Sequence, residues 1–219
     1  MKILIIAPHP DDEVLGCGGT IAKYGKKGDE VHLCIVTKAY TPDWSEEFLK
    51  KREEEIAQVV KLLGIKKTYF LDFPTVRLDT IPQQELMRSI LKIIETVKPN
   101  TVYVPHWGDP VVDHRLVFEA ASVATRPRPG STVKKLLSYE ILSETEWGKG
   151  FKEFIPDIYE DITLEIKVKM EAMKAYRSEL KEFPHPRSLE AIETLAKKRG
   201  SEAGLKFAEA FMLIREINY

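Results

Sequence analysis

The first 124 residues alternate short apolar runs with longer amphipathic ones, and that alternation restricts the fold more than any other feature. Residues 2–8, 30–36, 67–71 and 101–105 read as strands, short and rich in apolar or β-branched side chains. Residues 14–27, 45–63, 82–98 and 113–124 read as helices. In the second, Leu49, Ile56, Val59, Val60 and Leu63 share one face and Gly64 stops the run. In the third, Leu86, Ile90, Ile93, Ile94 and Val97 do the same, and Pro82 suits its first turn. Strands alternating with helices predict an α/β chain with a Rossmann-like, mostly parallel sheet and helices on both faces. Ligands of such sheets bind beyond the carboxyl ends of the strands. The loops after the first and fourth strands therefore carry the most weight.

Beyond residue 124 the pattern loosens. Residues 125–131 hold Pro127, Pro129 and Gly130 and read as a loop, 136–142 as a strand, and 144–161 as mixed. Residues 164–180 read as a helix with Ile166, Met170, Met173 and Tyr176 inward. Residues 188–199 read as a helix closed by Gly200, and 208–217 as a last strand. No repeat or linker divides the chain, so residues 1–219 are expected to form one domain. A hydrophobic content of 43% supplies a core and excludes disorder. The 33 Lys and Arg against 34 Asp and Glu exclude a surface built to neutralise nucleic acid. No apolar run approaches the ~18 residues of a membrane span. The apolar start is too short for a leader and runs straight into Pro8-His9-Pro10, so it reads as a buried strand. Two cysteines, Cys17 and Cys34, are too few for a disulfide framework. A cytoplasmic protein is expected.

The chemistry is concentrated in two loops. After the first strand, His9, Asp11, Asp12 and Glu13 place one imidazole and three carboxylates in five residues. His and Asp are good ligands for zinc or a similar divalent ion, and a turn can aim His9 and Asp12 inward together. The plainer reading is an acidic first turn complementing a helix dipole. That reading leaves His9, set between two prolines, without a purpose. The second cluster, His106 to His114, follows the fourth strand, and a parallel sheet can set it beside the first. His114 would then complete a two-His, one-Asp set with an open position, the pattern of a catalytic zinc site. Asp113 is expected to cap the following helix or to support a ligand, and His106 to be structural. The glycines at 16, 18 and 19 miss the dinucleotide pattern because residue 21 is Ile21, and no phosphate-loop Gly-Lys follows. Trp44, Trp107 and Trp147 fall in predicted loops and offer ring faces for a sugar.

The run Ala7-Pro8-His9-Pro10-Asp11-Asp12-Glu13 after a first strand resembles the PIG-L/LmbE-type zinc-dependent N-acetylglucosamine deacetylases. Gly16 to Thr20, Arg52 to Glu55 with Leu63-Gly64-Ile65, Asp109 to His114, and His185-Pro186-Arg187-Ser188 extend the likeness through most of the chain. The resemblance implies one zinc per chain on His9, Asp12 and His114, with Asp11 as general base and Arg52 near the substrate. It implies removal of the acetyl group from an N-acetylglucosamine-containing compound. The alternatives are a metal-dependent amidase of the same fold acting on another amide, such as a thiol conjugate, or a sugar- or nucleotide-binding module without catalysis. The family's second motif commonly reads His-x-Asp-His, and here its first position is Val111. His185, oriented by Asp113, is the expected substitute as a catalytic group. A homo-oligomer, a hexamer by resemblance, would bring that histidine across a subunit boundary.

Overall fold

The computed structural model of the chain describes residues 1–150 and 152–218. Strand β1 (Lys2–Ala7) is central, pairing in parallel with β2 (Glu30–Lys38) on one side and β4 (Thr101–Pro105) on the other. Strand β3 (Lys67–Pro74) adds to β2, and β5 (Lys135–Tyr139) to β4, both in parallel. Two antiparallel strands complete the sheet. The C-terminal β7 (Ala208–Glu216) lies between β5 and the edge strand β6 (Ile158–Asp161), giving the order β3-β2-β1-β4-β5-β7-β6.

Side chains alternate across each strand, so one sheet builds two cores. Ile3, Ile5 and Ala7 of β1 face helices α1 (Asp12–Lys26), α2 (Glu46–Leu63), α5 (Ile166–Ala175) and α6 (Leu189–Ala203). Leu4 and Ile6 face the opposite core, with α3 (Gln83–Val97) and α4 (Val112–Ala124). The doubly covered parallel sheet expected from the alternation is therefore present. Local chemistry sets the helix ends. Ser45 and Ser188 accept N–H groups of Phe48 and Ala191 at the starts of α2 and α6, and Gly64 turns left-handed to end α2.

Three features of the second half depart from the sequence reading. The helix expected over 164–180 runs only from Ile166 to Ala175. Tyr176 then leaves helical geometry and buries its hydroxyl on Glu13 at 2.6 Å, a tertiary contact that overrides propensity. Gly200 does not close α6. It lies inside the helix, where a Cβ would meet the Leu205 carbonyl at 2.7 Å, and Gly204, at φ 71°, makes the turn. The stretch read as mixed contains β6, whose four residues are too few for a periodic signal. No helix among the described residues is long and apolar enough to cross a membrane.

Candidate active site

The loops after β1 and β4 meet because those strands are neighbours, although His9 and His114 are 105 residues apart. His9 Nδ1, Asp12 Oδ2 and His114 Nε2 form a triangle with sides of 3.3, 3.4 and 3.5 Å. A tetrahedral metal at ~2.0–2.1 Å from each ligand would separate the ligand atoms by about 3.3–3.4 Å. The three donors are thus spaced for one ion, and they are drawn from the residues the sequence singled out.

Each histidine has its second nitrogen held by a carboxylate. Asp113 Oδ2 lies 2.9 Å from His9 Nε2, and Asp109 Oδ2 lies 2.9 Å from His114 Nδ1. Such partners fix ring orientation and raise ligand basicity. Asp113 is itself anchored, accepting the backbone N–H groups of Val76 at 2.7 Å and Leu78 at 3.2 Å. Those bonds tie the segment after β3 to the site. Asp12 Oδ2 also accepts the His9 N–H at 2.8 Å, which tightens the turn.

The electrostatics follow from burying these groups together. Burial works against a charged His9, but Asp113 and Asp12 outweigh it and push its pKa up to about 9. Burial opposes charge on His114 too, and Asp12 and Asp109 carry it up to about 10. Burial also opposes the Asp12 anion, yet the two imidazoles hold its carboxyl well below the usual range. Asp11 moves the other way. Burial and the adjacent Asp12 charge push its carboxyl well above the ordinary value, against the pull of Arg187 and Arg52. Burial takes Glu13 and Glu144 to about 7.

Asp11 precedes α1 with φ 114°, a strained backbone for a side chain other than glycine. Its N–H donates to Glu13 Oε2 at 3.1 Å, so Glu13 supports the turn from beneath instead of acting only on the helix dipole. Arg52 lies on the cleft wall, donating to the Pro10 carbonyl at 3.2 Å and to Glu179 Oε1. His185 is not brought to Asp113. Its Nδ1 accepts the Arg187 N–H at 3.0 Å, while the Asp113 carboxylate is taken up by His9, Val76 and Leu78. The side chain that enters the site from this segment is Arg187, which the sequence reading quoted without a role. Glu179, Ser143 and Glu144 were likewise missed as wall residues, because pairings across long sequence separations leave no local pattern.

An open cleft of about 940 Å³ leads away from the triad along α2 and β3. Trp44 and Val111 line it. Trp107 instead packs on His106 and Phe118, with ring centroids 4.6 and 4.9 Å away, and Trp147 is exposed. His106 is buried and bonded to the Lys152 carbonyl at 2.9 Å, as a structural histidine should be.

Fold and site define a class: a doubly covered α/β sheet carrying a three-donor His-Asp-His centre at its carboxyl edge. The chain belongs to the PIG-L family, whose model, described as GlcNAc-PI de-N-acetylase, matches residues 4–125. It is 30% identical to an uncharacterized deacetylase of Escherichia coli K12, over 80% of this chain and 90% of that one. It is 29% identical to a diacetylchitobiose deacetylase of Thermococcus kodakarensis, over 97% of this chain and 83% of that one. The N,N'-diacetylchitobiose deacetylase structure from Pyrococcus horikoshii superposes with a TM-score of 0.78. It is 26% identical and covers 98% of this chain and 84% of that one.

Proposed function

We propose that the protein is a metal-dependent N-deacetylase that hydrolyses the acetamide of an N-acetylglucosamine-containing small molecule or oligosaccharide. One observation carries the reading: three donor atoms at single-ion spacing, both histidines backed by carboxylates, with Asp11 beside them. Relatives of this chain include a diacetylchitobiose deacetylase, a probable N-acetyl-glucosaminyl malate deacetylase and a deacetylase of an inositol-linked acetamido sugar. Two imidazole nitrogens and a carboxylate oxygen suit zinc.

His9, Asp12 and His114 would hold the ion, which when bound lowers the pKa of a water and polarises the amide carbonyl. The rest is done by the chain. Asp11 accepts the proton released as water attacks, and its raised proton affinity suits that step. It then returns the proton to the departing amine, the role that Val111 cannot fill. Asp113 and Asp109 keep both rings aimed and stop them from turning away. Arg52 stands on the cleft wall for the sugar hydroxyls. His185 acts, on this reading, in the cleft of a neighbouring subunit of a homo-oligomer. An active monomer, seen by light scattering under assay conditions, would remove that role.

The test is elemental analysis together with acetate release from a panel of N-acetylglucosamine compounds. One zinc per chain and acetate release from at least one compound are expected. Asp11→Asn should keep the metal and lose turnover by about 10²–10⁴-fold, the usual worth of a general base. A variant as fast as the parent would end the role of Asp11. A fully loaded parent that releases no acetate from any compound would end the deacetylase reading.

A further inference from the structure

We propose that Arg187 is a positioning residue for the Asp11 carboxylate, acting as the inner arm of a clasp completed by Glu179 and Arg52; this rests on the deacetylase reading above. At φ 114° an aspartate does not stay in place by itself. Beside the His9 N–H on Asp12 and the α1 amides on the Asp11 carbonyl, three bonds from side chains brace this turn. Glu13 takes the Asp11 N–H, Arg52 Nη1 donates to the Pro10 carbonyl, and Arg187 Nη1 donates to Asp11 Oδ2 at 3.3 Å. Of the three, the bond from Arg187 reaches the reactive carboxylate itself.

Arg187 is fixed on its other sides. Nη1 also donates to Glu179 Oε2 at 2.5 Å, and Nε to the Ser143 hydroxyl at 2.8 Å. The second oxygen of Glu179 takes Arg52 Nη2. Two guanidinium groups thus share one carboxylate, and the pair grips the Pro10 carbonyl on one side and the Asp11 side chain on the other. The planar fork serves three acceptors at fixed angles, which an ammonium on a flexible stem does not reproduce. Ser143 contributes from the loop after β5, where it is buried at φ 75°. Three segments, α2, the loop after β5 and the connection between α5 and α6, therefore converge on one turn.

A plain structural bridge would make Arg187→Ala unstable but catalytically intact once folded. A positioning residue behaves otherwise. Arg187→Ala should retain its zinc and lose about 100-fold in kcat, the scale of a misplaced catalytic group, with KM changed less than about threefold. Added guanidinium should restore part of the rate, and Arg187→Lys should remain impaired. In metal-loaded, substrate-free protein, hydrogen exchange across residues 11–15 should quicken in Arg187→Ala. A raised KM with intact kcat would make Arg187 a substrate contact and overturn the proposal, as would unchanged kcat with unchanged exchange. If Arg187→Ala does not fold, Glu179→Gln loosens the same clasp and should lower kcat in the same direction. If the parent releases no acetate, the deacetylase reading fails, while the exchange comparison still decides whether Arg187 holds the turn.

Discussion

At His9 and His114 the carboxylates that aim each ring also keep protons on it whenever the ion is absent. An ion taken up there would have to displace both protons, so its affinity should depend steeply on pH. With pKa values of about 9 and about 10, apparent affinity should climb about two log units per pH unit below pH 9 and flatten above pH 10. Calorimetric titration of the chelated protein in buffers of different ionisation enthalpy would show it as about two protons released per ion near pH 7. The same pairs stabilise the metal-free fold. Both folded pKa values are raised above the unfolded ~6.5, so this stability is complete below pH ~6.5 and is lost as pH rises through about 9 and 10. The urea midpoint of chelated protein should fall over that alkaline window. Removing Asp113 as a partner, in Asp113→Asn, should weaken zinc binding by about 10–100-fold in a competition titration.

Helix α1 carries Asp12 at the sheet edge, and its packing depends on what it lacks. A Cβ at Gly16 would run into the ring of Tyr139, and one at Gly19 would meet Ile162 at 2.7 Å. Tyr139 cannot step aside, since its hydroxyl is bonded to the Ile6 carbonyl at 2.8 Å inside the core. Alanine in a helix interior normally gains about 1 kcal/mol over glycine. Here overpacking should win, and Gly16→Ala should cost about 1–3 kcal/mol net in urea unfolding. Sequence reasoning reached most elements before residue 124, because long periodic helices and β-branched runs declare themselves. It reached the His9, Asp12 and His114 donors because each lies in a short, unusual run. It missed the end of α5, where Tyr176 turns onto Glu13, and the clasp at Arg187, because bonds from Arg187 to Asp11 join residues 176 positions apart.

Across the whole molecule the C-terminal strand is bound to the first helix by one carboxylate. Glu209 in β7 accepts the N–H groups of Gly19 and Thr20 at 2.9 and 2.7 Å and the ammonium of Lys169 at 2.6 Å, all buried. Lys169 also donates to the Leu15 carbonyl at 2.8 Å. Glu209→Ala would strand a buried ammonium and two amides and should cost about 3–5 kcal/mol. Lys169→Met with Glu209→Leu should recover the part of that loss due to the stranded ammonium, while the Gly19 and Thr20 amides still lack their acceptor. Chemical denaturation of the three variants would test the coupling.

The meeting of β1 with β4 has a further consequence. Donors 105 residues apart converge only when those strands are paired, so an ion held there would bind the folded chain and find no comparable site in the unfolded one. A free ion at a thousand times its dissociation constant would then add about 4 kcal/mol to the folded state. In a cell starved of the metal, the apoprotein would open more often and meet proteases more often. Scarcity would thus thin the population of enzyme molecules as well as idle those that remain. Supply of the ion would govern how many copies survive.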